Sequence, residues 1–202
     1  RHTGNAKVFT SEKKAIKAIK TGGIEAGDIM VVMGGGPSGT GMEETYQLTS
    51  ALKHLPFGKY VSLITDARFS GVSTGACIGH IGPEALDGGP IGKLHDGDII
   101  EIMIDRNQLV GSVNFVGTED KRLSLEESTK VLKEREPHPQ LKPNANLPDD
   151  TRLWAALQSV SGGTWRGNIY DVDRITEVLK AGKKALNEES KTAEITGYIG
   201  TS

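Results

Sequence analysis

Asp28–Gly41, DIMVVMGGGPSGTG, joins an apolar run of strand length to a loop dense in glycine. Ile29–Met33 is continuously apolar, as in a strand buried on both faces. Downstream, Met42, Tyr46, Thr49 and Leu52 recur at helical spacing, which predicts a helix ending before Pro56 and beginning with Glu43 and Glu44 in its first turn. A second buried strand is expected at YVSLIT (Tyr60–Thr65), followed by a polar loop, DARFSGVSTG (Asp66–Gly75). Upstream, residues 11–20 read as a helix with Ala15, Ile16 and Ile19 on one face, ended by Gly22-Gly23. Asp96–Val113 alternates, turns at Asp105–Asn107 and returns, the pattern of a β-hairpin with a loop longer than two residues. Ser124 and Glu127 form a capping box that opens a helix to about Arg135. Pro137, Pro139, Pro143 and Pro148 make a linker. Helices are expected near 151–159 and 171–186, the second capped by Asp171 with Val172, Ile175, Val178 and Leu179 as its apolar face. A strand–helix pair followed by a hairpin is not a uniform βαβ series, so the fold class is α+β rather than doubly wound. The expected division is a core over 1–120, a helical extension over 121–190 and a disordered tail over 191–202.

The 202 residues suffice for one domain with an extension. With 36% hydrophobic and 25% charged residues, and no stretch of about 18 consecutive apolar residues, a membrane span is excluded. The net charge of −2 argues against a nucleic-acid partner. A single cysteine, Cys77, excludes an internal disulfide and any all-cysteine metal or iron–sulfur site made by this chain alone. Glycine is in excess, 26 residues against a typical share of about 7%, and it clusters between apolar runs, as at tight turns and where backbone approaches a ligand. The sequence begins at Arg1 without a Met or a signal-peptide pattern, from which a fragment or a processed chain is expected.

Gly34, Gly36 and Gly39 match G-x-G-x-x-G between a strand and a helix, the context of a dinucleotide fingerprint. Pro37 removes a donor from that cradle, and the next acidic residue at a strand end, Asp66, lies 32 positions on rather than about 20. Thr40 stands where a phosphate-binding lysine would be required. The loop is alternatively a plain turn, or a support that aims Glu43 and Glu44 at a hard cation. Carboxylates in a first turn are also favoured by the helix dipole alone. Gly71–Gly75 spells G-x-S-x-G around Ser73, but Ser73 lies eight residues past Thr65 with no obvious helix after it, which argues against a nucleophile elbow. Arg68 is suited to clamping a carboxylate or to pairing with Asp66. His80 reads as a satisfied structural histidine in preference to an acid or base, and Cys77 as inert packing.

Read in order, GPSGTGMEET (36–45), LITDARFSG (63–71), GHIGPEA (79–85) and GGPIGKLHDGDIIEI (88–102) resemble the C-terminal domain of the dihydroxy-acid dehydratase/phosphogluconate dehydratase family. The resemblance runs from AKVFTSEKKA (6–15) to the hairpin and echoes again at WRGNIYDV (165–172). The helical tail and the MEET form of the loop look most similar to the sugar-acid branch, the pentonate (xylonate-type) dehydratases. The resemblance implies a β-barrel-like β/β/α swivel domain with flanking helices. It implies a hydro-lyase that converts a 2,3-dihydroxy acid to a 2-keto-3-deoxy acid, using Mg²⁺ and an iron–sulfur cluster, [2Fe-2S] or [4Fe-4S]. The cluster would be held by an N-terminal domain of the same polypeptide, so this chain alone is expected to be inactive and to contribute no cofactor-binding cysteines. By motif, Ser70 becomes the catalytic base and Glu44 the Mg²⁺ ligand, while Arg68, Ser73, Asp66 and Thr40 are candidate substrate contacts. A serine base needs a nearby cation to lower its pKa, and a metal that draws charge from the substrate carboxylate supplies one. Homo-oligomerisation and a cytoplasmic location follow from the same resemblance.

Two positions depart from the family pattern, Ala67 where TDGRFSG has glycine and Glu43 where proline precedes the metal glutamate. Ala67 would be strained if its φ were positive, and Glu43 competes with Glu44 for the metal. Other readings stand beside the sugar-acid one. These are a dihydroxy-acid dehydratase of branched-chain amino-acid synthesis, a nucleotide-binding module on Gly34–Gly41, and an interaction domain with purely structural glycine loops.

Overall fold

The structure, a computed structural model, describes residues 1–73 and 75–199, with side chains as far as Glu188. Its main sheet has seven strands: β1 (His2–Phe9), β2 (Ile29–Val32), β4 (Ser62–Thr65), β6 (Ala76–Ile78), β7 (Ile99–Asp105), β8 (Val110–Thr118) and β9 (Lys121–Arg122). They lie in the order β6-β4-β2-β1-β7-β8-β9, with β6 and β9 as the two edges. A separate two-stranded sheet pairs β3 (Glu44–Thr45) with β5 (Arg68–Phe69). The helices are α1 (Glu12–Lys20), α2 (Pro37–Thr40), α3 (Gln47–Lys53), α4 (Leu125–Glu134), α5 (Asp149–Ser161) and α6 (Val172–Ile199).

Strand β2 is buried at every position because it is central and covered on both faces. Ile29, Val31 and Met33 enter a core with Ile64, Ile100, Ile102 and Phe115, while Met30 and Val32 enter a second core with Ala15, Leu48, Leu52 and Leu63. This is the period-2 alternation of a strand. Each such buried aliphatic side chain stabilises the fold by roughly 1.5–3 kcal/mol. Helices α1 and α3 supply apolar residues to the second core, and α4 packs Val131 and Leu132 against the first.

Strand β1, which the sequence pattern does not announce, joins two kinds of sheet. Residues Ala6–Phe9 pair parallel with β2, and His2–Asn5 pair antiparallel with β7. The fold is therefore mixed α+β, with parallel pairing from β1 to β6 and antiparallel pairing from β1 to β9.

The hairpin and the helices α1, α4 and α5 form where expected, with Ser11 accepting from Lys14 N and the Ser124–Glu127 capping box in place. Other expectations are corrected. There is no continuous helix from Met42 to Leu52. Gly41 and Met42 both have positive φ (72° and 67°), which ends α2, and Glu44 and Thr45 then extend into β3. Glu44 is thus on a strand and not in a helical first turn. The loop 66–75 is interrupted by β5. Helix α6 runs to Ile199, beyond the expected 186, so the tail expected over 191–202 is helical backbone up to Ile199, and residues 200–202 lie outside the described residues. Its apolar positions Val172, Val178 and Leu179 are exposed. The proline-rich linker is strapped to the body by His138 N donating to Gly92 O (2.8 Å) and Asn144 N donating to Gly39 O (2.8 Å).

Candidate active site

The parallel strands β1, β2 and β4 deliver their following loops to one end of the sheet, where ligands of open α/β sheets collect. The glycine loop after β2 is held there by two buried carboxylates. Asp66, fully buried at the end of β4, accepts from Gly34 N (3.1 Å), Gly35 N (2.9 Å) and Ala85 N (2.9 Å). Glu84, 3% exposed, accepts from Ser38 N at 2.9 and 3.1 Å. Burial pushes both carboxyls above the usual carboxylate range, against the opposing pull of those N–H donors.

This arrangement bears on three sequence readings. The N–H groups of Gly34, Gly35 and Ser38, which would cradle a phosphate, are already taken by carboxylates, so the nucleotide loop is overturned. The glycines admit protein and not a ligand: a Cβ on Gly36 would lie 2.3 Å from Glu84 Oε2, and one on Gly39 would lie 2.0 Å from Gly34 O. Asp66, expected as a substrate contact, is fully buried, with its carboxylate accepting from backbone N–H groups of both neighbouring segments.

The β3–β5 sheet then brings together residues more than 20 positions apart. Its register sets Glu44 opposite Arg68 and Thr45 opposite Phe69, and Ser70 N donates to Thr45 O (3.4 Å). Glu44 and Arg68 are both exposed, with Arg68 Nη1 3.8 Å from Glu44 Oε1. Arg68 Nε donates to Met42 O (2.9 Å), which fixes the guanidinium beside the turn. Ser70 is half-buried, two residues along the chain from Arg68, and its Oγ accepts a long contact from Val72 N (3.5 Å). Thr40 Oγ1 donates to Gly35 O (3.0 Å) and accepts from Glu43 N (3.2 Å), so its hydroxyl braces the loop. Thr40, Glu43 and Glu44 line a cavity of about 90 Å³ with Ser11 and Glu12 at the start of α1. A larger apolar cavity of about 370 Å³ under α4 shares no lining residue with these loops.

Ser73 Oγ lies 3.2 Å from Thr49 Oγ1, and among the described residues the next strand or helix after it is β6, so no helix follows Ser73 as a nucleophile elbow requires. His80, expected as a satisfied structural residue, is exposed at φ 56°, its backbone N donating to Ala67 O (2.8 Å). Ala67 is absent from the positive-φ residues, so its methyl carries no backbone strain. Cys77 is half-buried beside the second core, and burial pushes its thiol up. Sequence reasoning gave no role to Glu84, although it lies within GHIGPEA; nothing local reveals that its partner is Ser38, 46 positions away.

Among the described residues no three His, Cys, Asp or Glu side chains gather as a metal-binding group. Glu43 and Glu44 offer hard oxygen donors that suit one side of a Mg²⁺ shell, and the single cysteine cannot hold a cluster. No helix of the described residues is long and apolar enough to cross a membrane.

Comparison with known proteins matches residues 1–151 to the model of the dihydroxy-acid/6-phosphogluconate dehydratase C-terminal family. The D-xylonate dehydratases YagF and YjhG of Escherichia coli K12 are 71% and 67% identical over 185 and 181 residues, covering 92% and 89% of this chain. The dihydroxy-acid dehydratase of Solidesulfovibrio magneticus is 47% identical over 133 residues, 65% of this chain. The chain spans only 28%, 28% and 24% of the lengths of these relatives. A match covering about nine-tenths of the chain must run through α5 and the turn after it, whereas the family model stops at 151.

Proposed function

This chain belongs to the dihydroxy-acid/6-phosphogluconate dehydratase C-terminal family, and we propose that it is the C-terminal part of a hydro-lyase acting on a sugar acid. The reaction would remove water from a 2,3-dihydroxy acid to give a 2-keto-3-deoxy acid. The observation that carries this reading is the β3–β5 pairing, which sets Glu44, Arg68 and Ser70 along one short sheet.

In this reading Ser70 Oγ takes the proton from C2 of the substrate. A serine hydroxyl is a weak base, and one feature of this chain favours its ionised form, the Val72 N–H directed at Oγ. Arg68 also offers a planar donor fork to the substrate carboxylate, being held by Met42 O rather than by a close carboxylate partner. Glu44, with Glu43 beside it, would hold Mg²⁺ as one oxygen ligand, the remaining ligands coming from the rest of the polypeptide and the substrate. When bound, that ion supplies electrostatic stabilisation of charge developing on the substrate. Asp66 and Glu84 keep the glycine loop in place so that Glu44 meets Arg68. The iron–sulfur cluster of this reading belongs outside this chain. The swivel description of the fold goes with the same reading, although the main sheet is open, with β6 and β9 as its edges, and not closed as in a barrel.

The test uses the complete polypeptide with its cofactors loaded anaerobically. Pentonates, hexonates and a branched dihydroxy acid are offered, and 2-keto acid is measured for wild type, Ser70→Ala and Glu44→Gln. Pentonate turnover lost in both variants is expected. A preference for the branched acid would replace the substrate and keep the reaction, and no turnover of any acid would overturn the reading.

A further inference from the structure

Beside the β3–β5 sheet lies an open cleft of about 540 Å³ that shares only Arg68 with the catalytic proposal. One wall carries Arg68 and His80; the other carries Asp150, Thr151 and Trp154 of α5 together with Asn168. We infer that this cleft is the subsite for the hydroxylated chain of the acid, and that α5 and Asn168 make the enzyme selective for polyhydroxylated over short branched substrates. The inference rests on the sugar-acid reading above and names where that specificity resides.

Four observations converge. First, Arg68 belongs to both places, since its side chain lines the cleft while its guanidinium lies 3.8 Å from Glu44. A substrate with its carboxyl end at the β3–β5 sheet would extend its remaining carbons into the cleft.

Second, the backbone is specialised there. Of the four described non-glycine residues with positive φ, three line this cleft: Met42 (67°), His80 (56°) and Asn168 (56°). Such conformations are held in place at ligand sites more often than elsewhere. Asn168 N donates to Gly163 O (3.0 Å), while its carboxamide oxygen is buried with no hydrogen-bond partner. The side chain therefore has hydrogen-bonding capacity that the protein does not use.

Third, the far wall is fixed to the glycine loop. A Cβ on Gly41 would lie 2.3 Å from Thr151 Cγ2, so α5 seats directly on that turn, and Asn144 ties the preceding linker to Gly39.

Fourth, the chemistry of the lining matches a polyol. Asp150 accepts, Arg68 donates, His80 and Asn168 do both, and the Trp154 indole offers a flat face to C–H groups. A branched dihydroxy acid has no distal hydroxyls to use them. The relatives named for D-xylonate match through α5 and the turn carrying Asn168, which lie beyond the limit of the family model at 151.

The test is the specificity ratio of the loaded full-length enzyme, kcat/KM for a pentonate over kcat/KM for a branched dihydroxy acid. Asn168→Gly removes the carboxamide and tolerates the positive φ; Trp154→Ala removes the flat face. Each is expected to lower the ratio about tenfold, carried by a higher KM for the pentonate, because a site built for hydroxyls loses discrimination when its partners are removed. Equal losses on both acids would show that the cleft seats another part of the polypeptide and would overturn the inference, as would an unchanged ratio. Pentonate binding to the same proteins, followed by calorimetry, separates the two proposals. Binding without turnover, weakened about tenfold by Asn168→Gly, removes the hydro-lyase reading and keeps the subsite. Neither binding nor turnover overturns both.

Discussion

The β7–β8 hairpin and the loops after β2 and β4 belong to the antiparallel and parallel sides of one sheet and hold their backbones by opposite means. In the hairpin, residues Ile100–Asp105 find partners in a regular ladder against Val110–Phe115, and a bulge separates them from the Ile99–Gly117 pair. Its inward side chains, Ile100 and Ile102, alternate with less buried ones, so many small terms fix the register. In the loops, ladder partners are scarce, and single carboxylates gather the backbone donors instead: Asp66 holds three N–H groups from two segments, and Glu84 holds the start of α2. A ladder is redundant, whereas a carboxylate clamp concentrates its effect in one residue. The difference predicts that damage at the hairpin end appears as lost stability, and damage at the loop end as lost activity, or as both when a clamp or a close backbone contact is touched.

The sharpest contrast is between Ser70→Ala and Asp98→Ala. Ser70→Ala should lower kcat of the loaded full-length enzyme by about 10³-fold, within the range for a general base, with the melting temperature unchanged. Asp98 is 2% exposed and paired with Arg135, whose Nη2 donates to Oδ1 at 2.9 Å while the guanidinium lies over Phe115. Asp98→Ala strands that cation and should cost about 3 kcal/mol in a urea unfolding experiment, with kcat per folded molecule retained. Ser70→Ala that melts early, or Asp98→Ala that folds normally but is inactive, would break the division. Gly39→Ala probes the middle ground. Its new Cβ meets Gly34 O at 2.0 Å, so the loop must open; a loss of roughly 2–3 kcal/mol together with most of the activity is expected, read by melting and turnover on one preparation.

The same contrast decides what was legible in the sequence. The hairpin, the buried strand Ile29–Val32 and the capped helix α4 follow from local periodicity and capping chemistry, and the structure contains all three. Strand β1 escaped because HTGNAKVF has no clean alternation, and its pairing changes partner halfway along. The helix drawn through Met42 failed because Gly41 and Met42 take positive φ and Gly41 packs directly on Thr151, a contact that no local window contains. The Glu44–Arg68 pairing lay outside residue-level reasoning for the same reason, since two-residue strands carry no periodicity at all. What the residues did reveal was the chemistry-bearing segments, GPSGTGMEET and LITDARFSG, and the structure sets these two side by side.

The loop end also carries a pH signature. Burial raises the Asp66 and Glu84 carboxyls, so the folded protein holds their protons more tightly than the unfolded chain does. Their contribution to stability is therefore full below the ordinary carboxylate range and is lost as pH rises through the raised values. Glu84→Gln keeps an oxygen to accept from Ser38 N and removes one of these titrations, so the fall in urea midpoint with rising pH should become shallower. A steeper fall in the variant would show that Glu84 is not a source of it.

Ala67→Gly should have the smallest effect, and it tests whether the loop end is strained. Ala67 has no positive φ, so the glycine that the resemblance leads one to expect at this position is not required by the backbone. Its methyl is 3% exposed and faces Gly35, where an added Cβ would come within 2.7 Å, so the alanine fills the gap that the glycine leaves. Removing the methyl exchanges a buried CH₃ for a void and gives the unfolded chain more freedom, each worth somewhat under 1 kcal/mol. A loss of about 1 kcal/mol is therefore expected in urea unfolding, below every substitution above. A gain in stability would mean that Ala67 strains the turn that carries Arg68 and Ser70. In that case the clamp at Asp66 would be opposing strain, and the contrast with the unstrained hairpin would be deeper than the hydrogen bonds alone show.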